Sequence, residues 1–357
     1  MLTTKTDFSI VVYGLGSRGK SIVDSLLLNN IKPALIIDKF NPSTEYKGIK
    51  VENLANVNLS NPLHNYRCIL ALHNNYVNLK DVYEDIFNAG ITNISSLINI
   101  SDEYDFINID NGYWLEKDFK YSNYLSEIES LTSLLADNKS KELLKSIIQY
   151  RDLGSPKDCP NGSFSDEYIP LDLPRYSDPI RLIDCGSYDG LAIRKFIKAG
   201  YTFDSLISFE PDPKNYALLE EQDFNIKNSF FLPLGVWSST TQLRFNSDKD
   251  MGSSVSESGD IVIQCVSIDA LAKNYHPTLI KFDVEGAEIE ALLGAKNTIC
   301  ANKPNLCISL YHRPDHLFKI PLLIDSWNLG YQYHLRVHEE NTFGVVLYCL
   351  NPQLISH

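Results

Sequence analysis

Leu182-Ile183-Asp184-Cys185-Gly186-Ser187-Tyr188-Asp189-Gly190 sets acids and glycines directly behind an apolar run. An apolar run from Ile180 ends in an acid, passes through two glycines and gives way to a helical pattern over 191–199. Strand, tight turn and helix in that order put backbone N–H groups where a small ligand reaches them. A second run, Ser205-Leu206-Ile207-Ser208-Phe209, ends in Glu210-Pro211. An acid at the tip of the second strand is placed to accept hydrogen bonds from both ribose hydroxyls of a nucleoside. Together the two strand ends read as a nucleoside-cofactor site.

Working outward, strands are expected at 180–185, 205–210, 230–234, 279–285 and 306–312, with helices between several of them. That alternation implies a parallel sheet. The last two strands, 331–337 and 344–350, are joined through Glu339-Glu340-Asn341-Thr342, a connection too short for anything but an antiparallel pair. A mostly parallel seven-stranded sheet that ends in one antiparallel hairpin is the class I methyltransferase fold, not that of dinucleotide dehydrogenases. Upstream, Leu125, Ile128, Leu131, Leu134 and Leu135, then Leu143, Leu144, Ile147 and Ile148, recur at helical spacing and form a connector. The polar stretch 154–165 reads as an exposed loop, a linker or a lid. At the amino end, a strand over 8–13 leads into Gly14-Leu15-Gly16-Ser17-Arg18-Gly19, a helix over 20–29 and a strand over 34–37 that ends in Asp38. This is G-x-G-x-x-G in its strand–helix context, with an acid about 20 residues on. A strand over 67–72, a helix over 79–89 and a strand over 91–98 complete that unit. The expected α/β organisation is therefore a Rossmann-like domain over 1–105, a helical connector over 106–165 and a methyltransferase domain over 166–357.

A chain of 357 residues is too long for one ordinary core. Its net charge of −13 and pI near 5.1 repel nucleic acid and anionic membrane surfaces. The cysteines, seven and scattered without a C-x-x-C, read as reduced core residues. Neither a signal peptide nor an apolar run long enough to span a bilayer is apparent, so a cytoplasmic location is expected. A homo-oligomer is left open.

The carboxyl-terminal part resembles the FkbM family of methyltransferases. The matching strings are Asp184-Cys-Gly186-Ser-Tyr-Asp-Gly190, Phe209-Glu210-Pro211-Asp212-Pro213, Val266-Ser-Ile-Asp269-Ala-Leu271, Ile280-Lys281-Phe282-Asp283-Val284-Glu285-Gly286-Ala287-Glu288, Leu292-Leu293-Gly294-Ala295 and Tyr311-His312-Arg313-Pro314-Asp315. The likeness runs from about residue 134 to the end, and it implies S-adenosylmethionine as cofactor and a hydroxyl as acceptor, often on a sugar or natural product. It implies that Gly186 lets the backbone approach the methionine moiety and that Asp184 anchors the turn. It makes Glu210 the ribose ligand, and sets Pro211, Asp212, Gly235 and Val236 around the adenine. Ser187-Tyr188 stands where many members have Ala-Asn, so a contact from Ser187 does not follow from the family; Gly190 closes the D-x-G-x-x-x-G pattern.

Asp283 and Glu285, spaced i and i+2 in an expected strand, point to one face at its carboxyl end. Two carboxylates there act as general base on a sugar hydroxyl or hold a divalent cation; alternatively Asp283 contacts the cofactor and Glu285 buttresses the Gly286 turn. Lys281 is their expected ion-pair partner. His312 is a further base candidate, because an unperturbed imidazole is largely neutral at physiological pH. A metal pair of His312 with His316 is not expected. Ser253 and Ser254 are candidates for reaching cofactor or acceptor, and Tyr168 and Trp237 for walling a sugar. Gly14, Gly16, Gly19 and Asp38 form a candidate nucleotide site. Its layout resembles both the small domain of bacterial sugar acetyltransferases, which hold a nucleotide-sugar, and NAD-binding domains. The expected activity is O-methylation of a sugar or glycan hydroxyl. The rivals are an NAD-dependent oxidoreductase and a nucleotide-sugar-binding protein with a non-catalytic methyltransferase-like domain.

Overall fold

The computed structural model describes residues 8–57, 65–110, 112–246 and 259–356. Ser253 and Ser254 lie outside the described residues. The amino-terminal sheet comprises β1 (Ser9–Tyr13), β2 (Leu35–Ile37), β3 (Glu45–Tyr46), β4 (Ile49–Glu52), β5 (Tyr66–Leu70) and β6 (Asn93–Ser95), in the order β3-β4-β2-β1-β5-β6. All its pairs are parallel except β3 with β4. β1 is a continuous apolar run because both of its faces are covered: Val11 and Val12 are fully buried in different clusters. The helices are α1 (Ser17–Leu28), α2 (Leu79–Asn88) and α3 (Leu97–Ser101). The strand expected over 91–98 is not formed as one piece. Ser96 and Asn99 make a capping box that starts α3, so β6 stops at Ser95.

Two helices follow, α4 (Leu125–Leu134) and α5 (Asn138–Leu153). Asp137 caps α5 by accepting from the Ser140 N–H at 2.7 Å, and Gly154 ends it at φ +66°. α5 belongs to two cores: Leu144 and Ile147 pack with the second sheet, Tyr150 with the first. The stretch 154–165 is not the simple exposed loop expected. Ser163 N–H donates to Val337 O at 3.1 Å, and Gly162 sits so close to Glu339 that a Cβ would lie 2.5 Å from its backbone.

The second sheet contains β8 (Ile180–Cys185), β9 (Phe203–Phe209), β10 (Ser229–Leu232), β14 (Leu279–Phe282), β15 (Asn305–Ser309), β16 (Gln332–Val337) and β17 (Val345–Leu350), ordered β10-β9-β8-β14-β15-β17-β16. Only the pairs made by β17 are antiparallel. β7 (Arg175–Tyr176) pairs with β18 (Ile355–Ser356) below it, and β11 (Gly235–Val236), β12 (Thr241–Phe245) and β13 (Ile261–Val266) make a three-stranded flap that sequence patterning did not anticipate. Around these lie α6 (Leu191–Lys198), α7 (Pro213–Glu220), α8 (Ile268–Leu271), α9 (Glu288–Leu293), α10 (Lys296–Asn302) and α11 (His316–Asp325).

Two strand ends fall earlier than expected. β14 stops at Phe282 because the backbone turns left-handed at Glu285 (φ +52°) and Gly286 (φ +94°). β15 stops at Ser309, so His312 lies in the following turn. Asp283 and Glu285 are thus loop residues rather than an i, i+2 strand pair. No described helix is long and apolar enough to cross a membrane, and all seven cysteines are free thiols.

Candidate functional site

Strands β8, β9 and β14 end side by side, and the turns after them open onto a cavity of about 1130 Å³. The turn after β8 is built on Gly186, at φ +79°. Its N–H and that of Ser187 donate to Phe209 O at 3.0 Å each, and a Cβ on Gly186 would lie 1.8 Å from Asp283 O. Only glycine fits this crossing of three loops. Asp184 lies beneath, fully buried, with Oδ1 at 3.0 Å from Lys281 Nζ, and that ammonium donates to Gly186 O at 2.7 Å. Asp184 therefore anchors the turn through Lys281.

Glu210 follows β9. Its Oε2 accepts from Tyr188 N–H at 2.7 Å and its Oε1 from Asp212 N–H at 3.0 Å. A carboxylate offers about four lone pairs, so acceptor capacity remains beyond these two bonds. Burial pushes its pKa up to about 7, against the pull of the two N–H groups. Ser187, Pro211, Asp212, Gly235 and Val236 line the same cavity. Asp212 also caps α7 through the N–H groups of Lys214 and Asn215. Gly190 does not line it; at φ +84° it starts α6, pressed against Phe224.

Asp283 and Glu285 line the cavity from the β14 side. Asp283 Oδ2 accepts from Tyr168 OH at 2.8 Å and Oδ1 from Tyr311 OH at 3.3 Å, with Lys281 Nζ at 3.9 Å and His312 Nε2 at 3.5 Å. Glu285 Oε2 lies 3.4 Å from the same Nε2. On the far side of that imidazole, Nδ1 meets the fully buried Glu288 Oε1 at 2.8 Å, while His316 Nδ1 meets Oε2 at 3.1 Å. Glu288 also accepts from the N–H groups of Val284 and Gly286, at 3.0 and 3.3 Å, so it pins the whole 283–286 turn.

The charge states follow from this packing. Burial pulls the His312 pKa down, but Glu288 and Glu285 outweigh it and raise it to about 10. The expectation of a neutral His312 base is corrected: it is a buried cation that does not line the main cavity. Burial pushes Glu285 up to about 8 although His312 draws it down. Glu288 is held well below the usual carboxylate range: burial opposes this, and the two histidines prevail. Sequence reading gave no role to Glu288, Tyr311 or Glu339, although Glu288 and Tyr311 stand in the motif strings. Glu339, in the hairpin connection, has its pKa pushed up to about 7 by burial. A second cavity of about 560 Å³ shares Tyr113 and Glu285 with the first. Tyr168 and Trp237 both line the first.

Gly14, Gly16, Gly19 and Asp38 line neither cavity. Their loop closes on itself: Leu15 N–H donates to Asp38 Oδ2 at 2.6 Å, and Phe40 and Asn41 N–H groups to Oδ1 at 2.9 and 2.7 Å. A Cβ on Gly19 would lie 2.0 Å from Gly14 O. Gly14 and Gly19 thus serve the packing of the loop and Asp38 serves its backbone, while a Cβ on Gly16 would meet no atom within 4 Å. Among the described residues no group of three or more His, Cys, Asp or Glu side chains is placed to hold a metal ion.

A sheet of this order, with a glycine turn and an acid at adjacent strand ends, defines the methyltransferase class of α/β protein. Residues 184–333 match the methyltransferase FkbM domain. The fold is similar to the crystal structure of methyltransferase FkbM from Methylobacillus flagellatus KT, with a TM-score of 0.74 and 20% identity over 97% of this chain and 90% of that one. At that identity the likeness is one of fold. No curated protein matches the chain in sequence.

Proposed function

We propose that the chain is an S-adenosylmethionine-dependent O-methyltransferase acting on a hydroxyl of a sugar or glycan. The observation that carries this reading is that Glu210 and Asp283, at the ends of two strands flanking Gly186, open onto one cavity of about 1130 Å³. The residues fit the cofactor. Gly186 and Ser187 line the cavity on a turn held by Phe209 O and Lys281, and Glu210 presents a buried carboxylate with acceptor capacity in hand. Glu210 would hold the ribose, the Gly186–Ser187 turn the methionine moiety, and Pro211, Asp212, Gly235 and Val236 the adenine. When bound, the cofactor supplies an electrophilic methyl group on a sulfonium.

The chain's own part is alignment and proton removal. Asp283 receives the acceptor's hydroxyl proton. Tyr168 and Tyr311 fix its carboxylate, and Lys281 and His312 balance its charge. Glu285 is the alternative base, and His312 acts as a charge-balancing cation. In this reading residues 1–105, 106–165 and 166–357 are the amino-terminal domain, the connector and the catalytic domain. The test is calorimetric titration of S-adenosylmethionine into the wild type and Glu210→Ala, with turnover assayed in Asp283→Asn and Glu285→Gln. Binding indifferent to Glu210→Ala, or full turnover in both carboxylate variants, removes the proposal.

A further inference from the structure

The cavity has a wall that the methyltransferase sheet does not supply. On one side it is closed by the loop 73–76, which follows β5 of the amino-terminal sheet, and by Arg18 at the start of α1. Beside it lies the connection between β16 and β17, with Glu339, Glu340 and Phe343. The two loops are tied together. Asn75 Nδ2 donates to Glu339 Oε1 at 3.0 Å, Glu340 N–H to Asn75 O at 3.0 Å, and Asn341 Nδ2 to the carbonyls of Asn74 and Val77 at 2.7 Å each. A single small-molecule site occupies roughly 300–1,000 Å³. At about 1130 Å³ the cavity has room for a second ligand beside the cofactor.

The rim so formed is aromatic. Tyr76 is 77% exposed although its loop is held from both sides, which leaves a ring face uncovered at the mouth. Deeper in, Tyr113 packs edge-on to Phe343 at 5.5 Å and lies 6.1 Å from Tyr311, the residue that donates to Asp283. Rings offering an apolar face beside polar groups suit ligands that are apolar on their faces and polar at their edges, as a pyranose is. Charge narrows the class. Seven carboxylates line the cavity against three cations. Of those cations, Lys281 is already paired with Asp184, and Arg18 donates to the carbonyls of Ile109 and Asp110. Burial holds the pKa of Glu210 and Glu339 at about 7 and that of Glu285 at about 8, so the field that favours the cationic cofactor and opposes a second anion is fully developed at mildly alkaline pH, where the titrations belong.

We infer that this rim is the acceptor subsite and that it takes a sugar without anionic groups, neutral or amino, stacked on Tyr76 and hydrogen-bonded to Glu339, in preference to a phosphorylated or nucleotide-linked one. The inference rests on the methyltransferase reading above. The full chain, loaded with S-adenosylhomocysteine, is titrated with methyl glucoside, glucosamine, glucuronate and glucose 1-phosphate and followed by saturation-transfer NMR. The expected result is binding of the first two only, weakened about tenfold in Tyr76→Ala, with S-adenosylhomocysteine affinity unchanged. Glu339→Gln is expected to narrow the gap between glucose 1-phosphate and methyl glucoside. Equal or tighter binding of the anionic sugars overturns the inference, as does indifference to both variants, or binding of none of the four by a chain that does bind S-adenosylhomocysteine. Failure to bind S-adenosylhomocysteine at all removes the methyltransferase reading instead, and the subsite with it.

Discussion

Glu210 is a carboxylate with only 5% of its surface exposed, and burial sets its pKa near neutrality. Two consequences follow. A cofactor bearing a sulfonium binds more tightly as Glu210 ionises, so S-adenosylmethionine affinity is expected to rise several-fold between about pH 6 and about pH 8. S-adenosylhomocysteine, which has no such charge, is expected to change less, and Glu210→Gln to flatten the difference; paired calorimetric titrations across that range check both. The same group costs the free protein stability. A carboxyl whose folded pKa is raised contributes stability fully present below its unfolded pKa and lost as pH rises through the folded value, here about 7. Glu285, raised to about 8, acts in the same sense. Glu285→Gln is therefore expected to raise the Tm at alkaline pH and to leave it nearly unchanged at about pH 4. Asp283→Asn, by contrast, is expected to lower turnover by about 10²–10⁴-fold with cofactor affinity retained, since it removes the proposed base. Glu210 was legible in the sequence because an acid at a strand end needs only local pattern to be recognised. The charge of His312 was not, because it depends on Glu288 and Glu285, brought to it by packing.

The turn from Asp283 to α9 decides where the two carboxylates stand. Its backbone leaves β14 early, reverses at Glu285 and Gly286, and is held by Glu288 inside α9's first turn. The sequence marks this string by its composition, yet a strand continued through Glu285 satisfies the same alternation, and only the left-handed backbone decides otherwise. The three-stranded flap was missed for a different reason: β11 has two residues, and β12 and β13 pair with each other rather than with the main sheet. The mostly parallel sheet and its closing antiparallel hairpin were legible, because strands alternate with helices and the last connection is too short to cross over. Glu288→Gln tests the turn. Removing one partner of a buried pair leaves the other charge uncompensated, so a loss of about 3–5 kcal/mol is expected in denaturant unfolding. The pH profile identifies the cause. His312 contributes stability that is present below its unfolded pKa of about 6.5 and lost as pH rises through about 10. Glu288, held low, contributes stability present above about pH 4.5 and lost on acidification. The wild type should therefore lose Tm at both extremes, and Glu288→Gln should shrink both slopes. A uniform Tm drop with unchanged slopes would mean that Glu288 acts through turn hydrogen bonds alone.

Across the whole molecule, α5 and the cavity mouth both join the two sheets. α5 places Leu144 and Ile147 in one core and Tyr150 in the other, while Arg151 Nε donates to Thr342 Oγ1 at 3.1 Å and Nη2 to Thr342 O at 3.0 Å. At the cavity mouth the amide of Asn341 bridges to the loop after β5. The sequence showed both α/β patterns and the helices between them; it held no sign that the loop of one sheet finishes the cavity of the other, because each half of that contact is an ordinary turn. Asn341 is the position that separates the roles. It stands at φ +57°, so Asn341→Gly keeps the backbone at no steric cost while deleting the amide. Two half-buried carbonyls, of Asn74 and Val77, lose their donor, which is expected to cost about 1–3 kcal/mol in all. If the amino-terminal loop serves only to brace the fold, that loss appears as a lower Tm with kinetics unaltered. If it forms the acceptor wall, the loosened loop raises the acceptor KM about fivefold or more while S-adenosylhomocysteine affinity and kcat stay near wild type, because neither Glu210 nor Asp283 touches Asn341. A weakened S-adenosylhomocysteine affinity with an unchanged acceptor KM would place the influence of the first sheet on the cofactor side instead.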